Sequence, residues 1–232
     1  INVMKAYLIS LFTSNLIMLL SLRRVKDIKF LFSYDTLKDM INYGYKVYFK
    51  NIFESTALRL DYFIIKYYLS TSLLGVYSIA VQSAEFLIYL PSAISLILFP
   101  KIASLDNHKS YNYYCRIFNR TISLMIIISI AAYFLYPFFI RSIFNEKYID
   151  TIPLFSILLI GIVAFAGVRV NESYLLGIAK QKYILISSLI AGLLMIVLDV
   201  IFIPTYKIYG AAVISSFVYV VYFLFTLFFI KR

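Results

Sequence analysis

Seven stretches of this chain are each long and apolar enough to call for a solvent other than water. They run 6–22, 44–69, 73–99, 121–143, 151–176, 183–203 and 210–230. A helix needs about 20 mostly apolar residues to cross a bilayer's hydrocarbon, whereas a barrel strand needs only about ten. Inside lipid the backbone must satisfy its own hydrogen bonds, which a helix does within one segment. The fold expected is therefore all-α, a polytopic membrane helical bundle with about seven transmembrane helices. Composition agrees: 62% of the 232 residues are hydrophobic and 14% are charged, where a soluble domain carries roughly a quarter charged. Polar turn signals fall between the runs, at Ser70-Thr71-Ser72, Asn145-Glu146-Lys147 and Pro204-Thr205-Tyr206-Lys207.

The charge balance is +11, so nucleic acid has to be weighed as a partner. Nucleic-acid binders gather their basic residues on one soluble face; here they sit in the gaps between apolar runs, and nucleic acid is excluded. Alternate gaps hold Arg23, Arg24, Lys26 and Lys29, then Lys101, Lys109, Arg116 and Arg120, then Lys180 and Lys182, then Lys231 and Arg232. The opposite gaps hold none near Thr71, Arg141 and Lys147 around Asn145, and Lys207 beside Tyr206. Positive loops stay inside, which places the first set and the C-terminus in the cytoplasm. The single cysteine, Cys115, rules out an internal disulfide. With the single histidine, His108, it forms no metal set, and no cofactor is expected.

The chain begins with Ile rather than Met and has no cleavable leader, so a fragment of something longer is expected. Residues 23–43 form the longest polar connection before the second run. Phe30, Leu31, Tyr34, Leu37, Lys38 and Ile41 recur there at helical spacing, which fits a helix lying at the cytoplasmic interface, capped by Asp35 or Thr36. A plain linker accounts for the same residues.

The stretch ALRLDYFIIKYYLS, 57–70, puts three full charges inside an apolar run. A central charge costs about 2.5–3.5 kcal/mol on insertion scales, so such residues normally face a partner or a wet cavity. In the second run Lys46, Lys50, Glu54 and Asp61 lie along one helical stripe, and Ser55, Arg59, Tyr62 and Lys66 along another. Arg59 and Asp61 are two residues apart and cannot pair along one face. The third run carries Ser78, Gln82, Glu85 and Tyr89 as a polar stripe ending at Pro91; the fifth carries Arg169, Asn171 and Glu172, and the sixth Asp199. Lys46, Lys66 and Arg141 lie near helix ends, where snorkelling explains them; Lys46, Lys50 and Glu54 also fit a local pair beside the interface. Arg59, Glu85 and Glu54 lie deeper, where a functional or paired role is the better reading. Pro91, Pro100 and Pro153 permit kinks.

Three stretches carry a resemblance. LRLDYFIIKYYLSTSLLGVYSIAVQSAEFLIYLPSAISLILFPKIAS, 58–104, is similar to an R-x-D helix, an outer turn with G-x-Y-S and a following helix that ends in proline. NESYLLGIAKQKY, 171–183, resembles a small-residue and basic turn, and DVIFIPTYKIYGAAVISS, 199–216, an asparagine, isoleucine-proline, glycine-alanine-alanine pattern. Together they resemble the polysaccharide flippases (O-antigen and teichoic acid export) of the multidrug/oligosaccharidyl-lipid/polysaccharide exporter superfamily, over nearly all of residues 44–232. Asp199 stands where that family more often has Asn. The family is about twice this length, in two six-helix lobes. The resemblance divides the chain into the last helix of an N-terminal lobe (1–22), a cytoplasmic linker (23–43) and a six-helix C-terminal lobe (44–232).

What the resemblance implies is a multi-pass plasma-membrane flippase, not an enzyme, moving a lipid-linked oligosaccharide between leaflets by alternating access of two lobes. The cargo's pyrophosphate would meet Arg59, Lys66 and Arg169, since a guanidinium can hold two phosphate oxygens at once. Tyr62, Tyr89 and Gln82 would meet its sugars. Asp61, Glu85, Glu54 and Asp199 would carry a coupling proton or sodium ion. The implied partners are the lipid bilayer, the missing N-terminal lobe, and a polysaccharide polymerase or glycosyltransferases. A drug or metabolite cation antiporter and a lipid II flippase are alternatives within the superfamily. A membrane glycosyltransferase or ligase is disfavoured, because no nucleophile stands beside a base and no outer loop is large enough to house a site.

Overall fold

The computed structural model describes residues 2–22, 33–144 and 148–231, which contain helices and no strand. The helices are α1 (Asn2–Leu22), α2 (Tyr34–Tyr68), α3 (Thr71–Phe86), α4 (Tyr89–Ala103), α5 (Asn107–Ile143), α6 (Thr151–Gly177) and α7 (Gln181–Lys231). The all-α expectation holds. The chain divides into two compact units, 1–41 and 42–232.

In the first unit α1 exposes large apolar side chains such as Phe12 and Ile17. Its polar residues fold back on their own helix: Asn15 donates to the Leu11 carbonyl at 2.8 Å, and Thr13 to those of Ile9 and Ser10 at 3.0 Å. That satisfies donors that lipid could not.

Two expectations about the linker change. A helix runs unbroken from Tyr34 to Tyr68, with no end at 43. Its N-terminal cap is Ser33, whose Oγ accepts from Thr36 N at 3.4 Å, rather than Asp35 or Thr36. Arg23, Arg24, Lys26, Lys29, Phe30 and Leu31 lie outside the described residues, as do Asn145, Glu146, Lys147 and Arg232.

In the second unit the expected third span is two helices. Ser70 caps α3, its Oγ accepting from Leu73 N at 3.3 Å. The helix then stops at Phe86 and resumes at Tyr89, with Leu87 N and Ile88 N reaching carbonyls three residues back, at Ala84 and Glu85. Pro91 explains the position. Its ring clashes with the carbonyl four residues earlier and it has no N–H to offer, so the ladder fails one turn upstream. The pieces still make one apolar stretch, Thr71–Ala103.

Three further stretches are long and apolar enough to cross a membrane: His108–Ile143, Thr151–Gly177 and Gln181–Lys231. The last has 51 residues and at 1.5 Å per residue would reach ~75 Å, more than twice a hydrocarbon core of ~30 Å. It is two spans. They meet at Lys207, whose backbone sits at φ 55°, ψ −143°, three residues after Pro204. Thus the sixth and seventh apolar runs are present as limbs of α7. Neither α1 nor the charged α2 is among these four stretches.

The core forms around α6, whose most apolar window is 67% buried against 17% for that of α5. It packs most closely on α7, then on α4, α5 and α3. Gly161 lets the α7 backbone in: a Cβ there would fall 2.6 Å from the Cα of Ser216. Serines tie α4 to α6 in both directions, Ser95 donating to the Arg169 carbonyl at 2.8 Å and Ser173 to the Ser95 carbonyl at 2.7 Å. On α5 the outward face is greasy, with Phe134 and Phe138 about three-quarters exposed, as a lipid-facing helix requires.

Candidate functional site

α2 from Asn42 onward stands apart from the close backbone packing of α3 to α7. Long polar side chains join it to the rest at three levels. Nearest its start, Lys50 and Glu54 pair one turn apart on α2, and both reach α6. Lys50 Nζ lies 2.9 Å from Glu172 Oε1. Arg169 Nη2 lies 2.5 Å from Glu54 Oε1, and its Nη1 3.2 Å from Glu172 Oε2. Tyr222 of α7 donates to Glu172 Oε1 at 2.6 Å, and the Arg169 guanidinium lies 4.8 Å from the Phe165 ring centre. Two cations and two anions therefore cancel inside the protein. Side-chain exposures are 10% for Lys50, 8% for Glu54 and 6% for Glu172. Losing one partner from such a buried cluster costs about 3–5 kcal/mol, because the remaining charge is stranded.

The second level is a single pair. Arg59 Nη2 of α2 lies 2.9 Å from Glu85 Oε2 of α3, with side chains 50% and 19% exposed. A half-exposed pair contributes about 0.2–1 kcal/mol. Arg59 also leans on Tyr62, 3.5 Å from its hydroxyl and 5.5 Å from its ring centre. The third level is a chain of hydroxyls. Buried Asp61 accepts from Tyr77 OH of α3 at 2.6 Å and from Tyr62 N at 2.8 Å, and Tyr77 meets Ser215 of α7 at 3.3 Å. As their spacing required, Arg59 and Asp61 find partners on other helices.

A cleft of about 180 Å³ opens between these levels, lined by Arg59, Glu85, Ile88, Tyr89, Ser92, Phe165 and Arg169. It gathers four of the ten residues singled out in the sequence: Arg59, Arg169, Tyr89 and Glu85. The other six lie elsewhere. Tyr62 borders Arg59 from outside the lining. Gln82 faces a separate, largely apolar groove with Phe86, Leu135 and Phe139. Lys66 is exposed near the end of α2, as snorkelling predicts. Glu54 is spent on Lys50 and Arg169. Asp61 is held by hydroxyl and amide donors. Asp199 is fully buried, and among the described residues neither carboxylate oxygen has a hydrogen-bond partner.

The polar stripe Ser78–Gln82–Glu85–Tyr89 does not form one wall. Ser78 turns back on the Gly75 carbonyl at 2.9 Å, and Gln82 borders one groove while Glu85 and Tyr89, either side of the break at Leu87–Ile88, line another. Sequence reasoning missed Tyr77 and Tyr222, the hydroxyls that hold Asp61 and Glu172; tyrosines in apolar runs read as core or belt. It also missed that Tyr114 donates to Asn171 at 2.7 Å and Asn171 to Thr226 at 2.9 Å, tying α5, α6 and α7 together.

A helical bundle with several membrane-length apolar helices and a polar, cation-lined cleft defines an integral membrane protein. A family model described as "Polysaccharide biosynthesis protein" matches residues 4–153, and the chain belongs to that family. No curated protein and no solved structure matches it.

Proposed function

We propose that the chain is the C-terminal half of a plasma-membrane flippase that moves a lipid-linked oligosaccharide, of the polyprenyl-pyrophosphate type, from the inner to the outer leaflet. The observation that carries the reading is that Arg59 and Arg169, on α2 and α6, line one cleft with a single acid between them. Both guanidinium groups are paired with carboxylates, and their planar forks match the paired oxygens of a pyrophosphate that could take a carboxylate's place. Membership of a polysaccharide biosynthesis family supports a glycan cargo.

In this reading Arg59 is the primary phosphate contact, and Arg169, firmly placed by its two carboxylates, lends a donor that neither carboxylate uses. Tyr89 and Ser92 offer hydroxyls to the first sugar. Asp61 and Asp199 lack a cationic partner and are where a coupling proton or sodium ion binds. Residues 1–22 belong to a preceding lobe, residues 44–232 rock against it, and the C-terminus is cytoplasmic. No covalent step is involved.

The test is complementation. Cells whose only copy of the full-length protein carries Arg59→Ala should lose surface polysaccharide while the variant still inserts in the membrane at wild-type level. Normal surface polysaccharide in those cells removes Arg59 from the site.

A further inference from the structure

The cleft's cations are already occupied, and the two are held very differently. Arg169 grips Glu54 and Glu172 together, in the buried cluster. Its two ion pairs use one N–H on each terminal nitrogen, and its Nε is buried without a partner among the described residues, so it keeps donors that neither acid uses. Arg59 holds a single acid, Glu85, and its side chain is half exposed. An anion entering between them must compete with Glu85 and need not compete with Glu54 or Glu172, because a half-exposed pair is far cheaper to open than a buried one.

Displacement has a consequence for Glu85. Among the described residues its Oε1 is already buried without a partner, and Oε2 depends on Arg59. The charged groups around it give no substitute. From α2 it faces Arg59, the carboxylate of Asp61 and the hydroxyl of Tyr62; from α4, Tyr89 and Ser92; from α6, Arg169, committed to its own acids; from α7, Tyr219. A carboxylate left mostly buried with no cation is far costlier than the neutral acid.

We propose that Glu85 is an exchangeable counter-ion: a phosphate oxygen of the cargo takes its place on Arg59, and the freed carboxylate takes up one proton. The inference rests on the flippase reading above and assigns its cleft a selection rule. A ligand enters only if it bids more for Arg59 than one carboxylate does, which a pyrophosphate does and a neutral sugar or a monocarboxylate does not. The exchange also opens one of the three polar levels that join α2 to the other helices, so cargo binding weakens the hold of α3 on α2 at Arg59 while Ile65 and the Tyr62–Tyr77 contact remain. The balance is simple: one anion and one proton enter, one ion pair opens, and no covalent bond of the protein changes apart from the new O–H on Glu85.

The test uses the full-length protein in lipid nanodiscs and a short-chain isoprenyl pyrophosphate N-acetylglucosamine, whose phosphate charges stay constant across the pH range. Calorimetric affinity of the wild type should fall as pH rises, approaching tenfold per pH unit, the slope for one proton taken up. Glu85→Gln, equal in shape, should flatten that slope and bind about two- to fivefold tighter even at the acidic end, since the competing pair is gone. Asp106→Asn, which removes an exposed carboxylate outside the cleft, should keep the slope, and spin labels on α2 and α3 should separate when probe is added. A flat wild-type profile, weaker binding by Glu85→Gln, or a slope that disappears with Asp106→Asn instead, overturns the counter-ion role and leaves the flippase reading standing. A wild type that fails to bind the probe at any pH overturns both.

Discussion

Lys50→Met tests whether the buried cluster holds the fold. Lys50 touches two carboxylates, Glu54 within α2 and Glu172 across on α6. Methionine keeps most of the volume and removes the charge, so Glu54 and Glu172 then share Arg169 alone, and the cluster passes from neutral to one net negative charge. Breaking a buried pair this way costs about 3–5 kcal/mol. For a chain of this length each kcal/mol lowers Tm by about 2–4 °C, so the drop should be roughly 6–20 °C in a detergent thermal melt followed by circular dichroism. The double variant Lys50→Met with Glu172→Gln restores neutrality and leaves the Arg169–Glu54 pair and the Tyr222 hydrogen bond in place. It should recover most of the loss. Arg59→Met leaves Glu85 free to take up a proton, so it should lower Tm by less than Lys50→Met does. A Lys50→Met loss no larger than that of Arg59→Met, or no recovery in the double variant, refutes the reasoning from burial and charge balance.

Two further outcomes come from the buried acids. Tyr77→Phe removes the 2.6 Å donor from Asp61 and should destabilise by about 1–3 kcal/mol; adding Asp61→Asn should return part of that, and an unchanged melt for Tyr77→Phe alone would falsify the hydrogen bond's role. Asp199→Asn removes a fully buried carboxylate that has no partner for either oxygen among the described residues, so Tm should rise; a fall shows that Asp199 works as a charge in the folded protein.

Several features were legible in the sequence for physical reasons. Apolar length fixed where the helices lie, because only burial in lipid makes 20 such residues tolerable. Pro91 marked a kink, and the break sits one turn upstream of it, at Leu87–Ile88, as the ring's clash with an earlier carbonyl demands. Other features depended on contacts between distant elements. Lys50 and Glu54 read as a local pair four residues apart, yet what fixes them is Glu172 and Arg169, more than 100 positions on. The stripe from Ser78 to Tyr89 assumed one unbroken helix, so Gln82, which borders a separate apolar groove, was assigned to the cleft that Glu85 and Tyr89 line. Lys207 gave no sign of its left-handed backbone, since neither its side chain nor its neighbours favour that conformation as glycine would. The helical spacing of Tyr34, Leu37 and Ile41 was legible, but α2 starts at Tyr34, ahead of the apolar run at 44, because polar residues there continue the same helix.

The central claim is that Arg59 and Arg169 present an anion site to a lipid-linked cargo, and transbilayer movement tests it most directly. The full-length protein would be reconstituted in vesicles with a fluorescent polyprenyl-pyrophosphate oligosaccharide, and outer-leaflet appearance followed for the wild type and for Arg59→Ala. Movement by the wild type, its loss in Arg59→Ala at equal protein incorporation, and no movement of a neutral polyprenyl glycoside are the results expected. Equal transfer by the wild type and Arg59→Ala, or equal transfer of the neutral glycoside, would contradict the account.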